Sequence, residues 1–504
     1  MAASKSTRHE TILIEDDFKI CIIGAGMSGM CAAIQLKKQF NHLDNVTIFE
    51  GLEDIGGTWL INTYPGCACD IPGHLYSYSF ERNPDWSKSF VDQEEILEYL
   101  RNVAKKHSLY EKIKFRYRVT ELRWDDLNSE WIVKVLNERN SEELTYKFNI
   151  VITGIGALRA PQIPPQFEAF QGPKIHTAEW NHSIDLQDKI VAVIGTGASS
   201  VQLVPAIAPK VKQLILYQRH AAWIFPRLQV SYSRFARFTF RWIPGVMSSV
   251  RNFLYCYFEA GHSAFKMNTM MRKAVISVAN LHRKRQVKCP LLRDKLKPNY
   301  EFGCKRILMS NEYYPAVSRE NVKVVVDGIK SVGQDTIVHN DGTSTQPDVI
   351  VFATGFKITE YFSPLKIFGK EGLDLFAKWK KNSPTAYLGV NTSDAPNLFF
   401  IIGPHSGNGH NSLIFMIECQ VSWITKVIKE FQRKKLKSVV VKKSAEEDYM
   451  RFIDEEMKTM VWTNSECGSW YINENGKAFA IWPKSLTSYW NLSRRLNFAH
   501  LEFL

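Results

Sequence analysis

The tract Lys19-Ile20-Cys21-Ile22-Ile23-Gly24-Ala25-Gly26-Met27-Ser28-Gly29 leaves this chain few folds to choose from. An apolar run of strand type passes without a spacer into Gly-x-Gly-x-x-Gly. Met30 to Lys38 then continues with helical periodicity, Ala33, Ile34 and Leu36 among its apolar positions. In a strand–turn–helix unit of this kind Gly24 permits the turn, Gly26 lets a pyrophosphate approach the backbone, and Gly29 lets the helix close on the strand. The amides at the helix N-terminus then face the phosphates. A second strand, Val46-Thr47-Ile48-Phe49, ends in Glu50, an acid placed to accept hydrogen bonds from ribose hydroxyls. Glycine-rich turns alone are common. Strand, turn, helix, strand and acid in that order specify a dinucleotide site.

The pattern returns. Lys189 to Ile194 is a strand, and Gly195-Thr196-Gly197-Ala198-Ser199-Ser200 is its turn, followed by helical positions Val201, Leu203 and Val204. Ser200 stands where the third glycine would be, small enough for close packing. The next strand, Gln213 to Tyr217, ends in Gln218-Arg219. An acid there would repel a 2′-phosphate, whereas the guanidinium fork of Arg219 binds one, so the second unit prefers NADPH to NADH. Two nucleotide sites of opposite preference indicate a flavoprotein, FAD in the first and NADPH in the second. The expected architecture is α/β: two dinucleotide-binding, Rossmann-like domains, the NADPH domain inserted in the FAD domain. The expected limits are 1–165 for the first part of the FAD domain, 166–345 for the NADPH domain with a helical insertion over about 229–299, and 346–504 for the return. The strands ending at Ile150-Val151-Ile152-Thr153-Gly154 and at Asp348 to Gly355 read as the crossings.

Composition narrows the alternatives. With 504 residues, 45% hydrophobic and 23% charged, the chain is long and apolar enough for a large globular core. No apolar run reaches the ~18 residues of a membrane span, and Met1 to Asp17 lacks the apolar stretch of a secretory signal. Nine scattered cysteines argue against a disulfide scaffold and for a reducing, intracellular setting, cytoplasmic by expectation. Two-dinucleotide disulfide reductases also carry a Gly-Gly-Thr like Gly56-Gly57-Thr58. Trp59 and Tyr64 occupy the positions of their redox cysteines, so that chemistry is absent there. Cys67 and Cys69 are too closely spaced for an unstrained disulfide and read as packing residues. Neither these nor His405 and His410 form a zinc set. The glycine-rich loop Gly403 to His410 is placed to cover the flavin.

The net charge of +13 is concentrated. Residues 210–310 contain 20 Lys and Arg against Glu259, Asp294 and Glu301, a local +17. Nucleic acid, an anionic membrane surface and a phosphorylated cofactor are the partner classes this admits. Phe235 to Phe265 mixes aromatics with Arg237, Arg241 and Arg251, which suits peripheral membrane contact. No zinc finger, RNA-recognition signature or heptad array accompanies the basic run, so no nucleic-acid partner is expected.

Three motifs resemble class B flavoprotein monooxygenases of the Baeyer–Villiger type. Phe170-x-Gly172-x-x-x-His176-x-x-x-Trp180 resembles the fingerprint between that family's nucleotide domains, with Asn181 where Pro or Asp is usual. Gly56-Gly57-x-Trp59-x-x-x-x-Tyr64-Pro65-Gly66-x-x-x-Asp70 matches a second motif, and Cys304-Lys305-Arg306 resembles the loop bearing the family's active-site arginine. The tracts Cys467 to Tyr471, Trp482-Pro483 and Tyr489 look familial too. Departures are Cys67-Ala68-Cys69-Asp70, where an arginine is common, and Lys357, where an acid is common.

The resemblance implies an NADPH-using, FAD-dependent monooxygenase that inserts one oxygen of O2 into an apolar small molecule through a flavin C4a-peroxide, a ketone becoming an ester or lactone. It implies catalytic roles for Arg306 and its carboxylate partner Asp70. FAD contacts would come from Thr58, Trp59, Asp70, Tyr76 and Val119 beside Gly24, Gly26, Gly29 and Glu50. NADP contacts would come from Ala68, Cys69, Asp70 and Lys305 beside Gly195, Thr196, Gly197, Ser200, Gln218 and Arg219. His176 and Trp180 would govern domain closure and nicotinamide position. Two alternatives stand: an electrophilic N- or S-oxygenase or epoxidase on the same fold, and a basic membrane-peripheral or nucleic-acid-binding module.

Overall fold

The first glycine turn lies at the end of a buried central strand. In the computed structural model, which describes residues 18–357, 364–463, 469, 471–473 and 475–503, β1 (Ile20–Ile23) pairs in parallel with β2 (Val46–Glu50) and with β7 (Ile150–Thr153). β3 (Ile113–Phe115) extends this sheet beyond β2, and Leu398–Phe400 extends it beyond β7. Strands covered on both faces need apolar residues on both, which is why β1 and β7 show no alternation. The crossover is α1 (Met27–Phe40), whose buried Met30, Ala33 and Ile34 pack on the sheet, with the helix Leu413–Arg433 alongside. After β2 come the single turn α2 (Thr58–Ile61) and the helix α3 (Gln93–Lys106). An antiparallel layer of β4 (Tyr117–Asp125), β5 (Glu130–Asn137) and β6 (Glu142–Phe148) precedes β7. Buried and solvated positions alternate along β5, as a sheet with one wet face requires.

The second sheet repeats the first. β9 (Ile190–Ile194) runs into α4 (Ala198–Ile207), and β10 (Gln213–Tyr217) returns beside β9. Val322–Val325 lies beyond β10. Val349–Phe352 and then β8 (Lys174–His176) lie on the other side of β9, all parallel. The fold is therefore the α/β pair of Rossmann-like units that the glycine turns demand. One boundary moves. Val349–Phe352, placed by the sequence in the returning part from 346, belongs to the second sheet. The chain re-enters the first sheet at Leu398–Phe400. An apolar strand ending in small residues reads alike in either sheet, and only its pairing with the distant β9 places it.

Residues 229–299 hold α5 (Arg234–Trp242), α6 (Val246–Ala260), α7 (Met270–Gln286) and α8 (Pro290–Lys295). Ser233 caps α5 by accepting from the Ala236 amide, and Thr269 caps α7 by accepting from Arg272. The buried guanidinium of Arg251 on α6 donates to the carbonyls of His74 (2.7 Å) and Ser77 (2.9 Å), which fastens the insertion to the first unit. Among the described residues no helix is long and apolar enough to cross a membrane.

Among the described residues seven cysteines are free thiols. Cys304, two residues before Arg306, is disulfide-bonded. One bonded cysteine departs from the expectation of thiols alone and does not amount to a disulfide scaffold.

Candidate active site

The two glycine turns make equivalent cradles. Gly24 has φ +95°, and a β-carbon there would lie 2.9 Å from the carbonyl oxygen of Gly154 at the end of β7. Gly195 has φ +106°, and its β-carbon would lie 2.5 Å from the carbonyl oxygen of Ala353 at the end of the corresponding strand. Each turn is wedged against its neighbouring strand, and only glycine fits. A β-carbon on Gly29 would come within 1.8 Å of the Gly24 carbonyl oxygen, so helix–strand contact excludes any side chain there too. Ser200 is fully buried at the matching position of the second unit.

Both turns fit an anionic cofactor. Gly26 and Gly197 are the N-caps of α1 and α4, and neither helix has a side-chain cap, so their first amides remain for a phosphate. Nothing stands within 4 Å of where a β-carbon on Gly197 would be, and Gly26 faces the bare backbone of Gly57. The charges that close the cradles differ. Glu50, 7% exposed, accepts from the Ala25 amide (2.6 Å) and the Leu52 amide (2.9 Å). Burial raises its pKa, and these backbone donors oppose the rise. In the second cradle Lys305 lies 4.7 Å over the ring of Tyr300, its pKa lowered by burial and by the charge of Arg219. His220 is lowered by burial and feels the same two cations, with Asn299 opposing. Arg219 and Lys305 converge without an ion pair among the described residues, and a phosphate dianion would relieve that. Gln218 is occupied structurally, its side chain donating to the Lys295 carbonyl (2.6 Å). The hydroxyl of Thr196 donates to the His220 carbonyl (2.6 Å).

Between the cradles lies the segment Tyr64 to Asp70. The Tyr64 hydroxyl donates to Gln202 Oε1 on α4 (2.7 Å), and Gln202 Nε2 donates to the Ala68 carbonyl (2.8 Å). Gly66, at φ +83°, approaches α4 so closely that a β-carbon would lie 2.5 Å from the Gln202 carbonyl oxygen. Gln202 carries no local signal: it is one polar position on a helix, and its partners are remote in the chain. Cys67 and Cys69 are buried, and burial pushes the Cys67 thiol up to about 12, so it stays protonated. Thr58 is exposed at the start of α2. Trp59 is buried beside it, its indole N–H donating to the Tyr76 hydroxyl (3.2 Å) with the rings edge-on at 5.6 Å. Val119 is buried in β4 within the antiparallel layer's core.

At the end of that segment, Asp70 meets Arg306 across the cleft. Arg306 Nε and Nη2 both lie 2.8 Å from Asp70 Oδ2, and Nη1 lies 3.4 Å from the Asn408 carbonyl. The two side chains remain 27% and 30% exposed, so the pair lines an open wall. Burial works against the charge of Arg306, but the Asp70 carboxylate outweighs it and the guanidinium stays ionised. Tyr471, buried, has Arg306 and Asp70 as its charged neighbours. Cys467, Gly468 and Trp470 of the same motif lie outside the described residues.

Asn408 brings in the glycine-rich loop, and two residues on His410 anchors it. Glu259 of α6 accepts from His410 (3.2 Å), Asn411 (3.1 Å) and the Thr487 amide (2.8 Å). Burial alone would raise Glu259, but the His410 and Thr487 bonds take it down to about 2. One of the three acids in the basic segment thus holds the loop that touches Arg306.

The motif Phe170 to Trp180 is a connection. Phe170 is buried, and its ring fills the space a side chain on Gly172 would need. His176 closes β8, its Nδ1 accepting from the Ala178 amide (3.1 Å) and its ring edge-on to Phe356 at 6.0 Å. Burial lowers its pKa, which leaves the imidazole neutral. Trp180 is half-buried against the main core.

A model of the family described as flavin-binding monooxygenase-like matches residues 17–465. A Baeyer–Villiger monooxygenase of Pseudomonas aeruginosa is 39% identical over 482 residues, 95% of this chain and 90% of that one. One of Streptomyces coelicolor is 34% identical over 499 residues, 98% of this chain and 94% of that one. Among solved structures, cyclohexanone monooxygenase from Rhodococcus sp. Phi1 bound to NADP+ superposes with a TM-score of 0.84 at 26% identity, covering 96% of this chain and 98% of that one.

Proposed function

Because the chain belongs to the flavin-binding monooxygenase family, we propose that it uses FAD, NADPH and O2 to insert one oxygen atom beside the carbonyl of an apolar ketone, giving an ester or lactone. The observation that carries this reading is the Arg306–Asp70 pair at the junction of the two cradles. When bound, the flavin supplies electron transfer from NADPH and activation of O2.

This chain's residues do the rest. The amides at Gly26 and Gly197 receive the pyrophosphates, and Glu50 receives ribose hydroxyls. Arg219 and Lys305 hold the 2′-phosphate of NADPH. Arg306 would place a permanent cation where negative charge builds on the oxygen being transferred and on the oxygen of the carbonyl whose carbon is attacked. Asp70 accepts two hydrogen bonds from that guanidinium and fixes its plane. The loop carrying Asn408, with the buried Tyr471, flanks the guanidinium. The seven free thiols among the described residues support a reducing, intracellular setting, with the bonded Cys304 the exception.

The test is aerobic incubation of the yellow holoenzyme with NADPH and a panel of ketones, sulfides and alkenes, with products read by mass. Ketones are expected to gain one oxygen as esters or lactones. Oxygenation of sulfides or alkenes with no ketone turned over would overturn the reading.

A further inference from the structure

Helix α5 reads Arg234-Phe235-Ala236-Arg237-Phe238-Thr239-Phe240-Arg241-Trp242. Phe235, Phe238 and Trp242 recur at i, i+3 and i+7 and so form one row along the helix. Arg234, Arg237 and Arg241 form a parallel row beside it. No residue of α5 is buried. The aromatic row faces solvent, with Phe235 75%, Phe238 55% and Trp242 67% exposed. The helix is held from the other side by Phe240, whose ring lies 4.5 Å from that of His74 and 5.2 Å from that of Tyr232. α6 packs beside α5 and adds Phe253 and Tyr257, exposed and stacked 6.5 Å apart. A domain that meets only water rarely leaves so much contiguous aromatic surface uncovered.

We propose that the α5–α6 face docks this protein on an anionic phospholipid bilayer. The aromatic row would enter the boundary between headgroups and acyl chains, while the arginines reach the lipid phosphates. The argument is charge complementarity joined to helix geometry. Arg234 and Arg237 make no ion pair among the described residues, and Arg241 meets only the half-exposed Asp85. The surrounding segment 210–310 carries a net +17; Arg251, Arg272 and Arg283 are buried and Arg219, Lys305 and Arg306 belong to the site, and the solvent-facing remainder attracts a negative surface from a distance. Aromatic rings with arginines alongside are what the interface of a bilayer accepts, because arginine stems lie along apolar surface while their heads stay wet. A second copy of the chain fits poorly. An antiparallel two-fold contact through this face would lay one arginine row against its symmetry mate. The face also connects to the cleft: α6 carries Arg251, bonded to the His74–Ser77 segment, and Glu259, bonded to His410 near Asn408. A substrate dissolved in the bilayer would therefore enter beside the element that docks.

The test is flotation of the full-length, FAD-loaded protein with vesicles of phosphatidylcholine alone or with about a third phosphatidylserine. The wild type is expected to float with the anionic vesicles and to be released by high salt. Phe235→Ser with Trp242→Ser should weaken binding at least ~tenfold, since each buried ring contributes that much. Flavin absorbance and NADPH oxidation should be unchanged. Arg234→Glu with Arg237→Glu should remove the preference for anionic lipid. Lys284→Glu with Arg285→Glu, on exposed positions of α7, should have a weaker effect. Absence of flotation, or equal loss from the α5 and α7 charge reversals, would overturn the proposal. So would self-association abolished by Phe235→Ser, which would make a second copy the occupant.

Discussion

Arg306 is held by three contacts, and their geometry sets what its loss should do. Removing a preorganised charge partner typically costs ~10²–10³ in rate. Arg306→Ala is expected to fold, stay yellow and still consume NADPH, but to form oxygenated product ~10²–10³-fold more slowly, the reducing equivalents leaking to hydrogen peroxide. Product and peroxide yields per NADPH check this. Asp70→Ala should show the same uncoupling more mildly, because the guanidinium keeps its charge and loses only its anchor. Product formation at near wild-type rates by Arg306→Ala would refute the role given to this cation. In the second cradle, the charge of Arg219 acts on Lys305 and lowers its pKa further than burial does alone. Arg219→Ala should raise KM for NADPH roughly tenfold to hundredfold, the worth of a charge-assisted phosphate contact, and leave KM for NADH nearly unchanged. Steady-state kinetics with both nucleotides decide it.

At the scale of elements, the segment Tyr64 to Asp70 rests on α4 through Gln202, which makes one helix a support for both cradles. Gln202 touches neither reacting atoms nor cofactor in this account and acts by positioning. Gln202→Ala should raise KM for NADPH by roughly fivefold to thirtyfold, given about 1 kcal/mol for each of two lost hydrogen bonds. FAD content should stay at the wild-type level, with partial rescue by Gln202→Asn. A change in kcat with KM unaltered would contradict this. Local elements were legible where the chemistry is local: both glycine turns, Glu50, Arg219 and the helical character of 229–299 follow from neighbouring residues. Gln202, the Asn408 carbonyl and the Glu259–His410 bond were not, because each joins residues more than 100 positions apart in the chain. The sheet that holds Val349–Phe352 is illegible for the same reason, its partner β9 lying far off in the chain. Strand composition states that a segment is buried and leaves open which neighbour buries it.

For the whole molecule, acid is the expected weakness. His74, His262 and His405 are all buried and neutral. Burial takes each down to about 4, helped by Arg251 at His74 and by His410 at His262. In the unfolded chain they titrate near ~6.5. The unfolded state therefore binds more protons below that value, so stability rises with pH across this window. Full stability is present above pH ~6.5 and is lost as pH falls toward ~4, by up to about 3 kcal/mol for each histidine. His74 lies under α5, His262 against Pro483, and His405 in the glycine-rich loop, so the loss is spread over the molecule. Thermal melting at several values between pH ~7 and ~5 should show a progressive fall in Tm, and a flat profile would contradict it. Glu259, at about 2, has its own loss only as pH falls from ~4.5 through that lower value.

The wedging of Gly24 under the Gly154 carbonyl recurs at Gly195 and Ala353, almost atom for atom. Two cradles of one shape stand in one chain, and shape therefore cannot tell each cradle which nucleotide is its own. The sorting falls to the residues that close the second strand: a buried carboxylate clamped to its own turn in one, two converging cations in the other. On the proposed assignment, a nucleotide with an extra phosphate would be turned away where Glu50 stands and retained where Arg219 stands. The chain would then keep its electron donor and its electron acceptor from trading places by an inversion of sign between two turns of like shape.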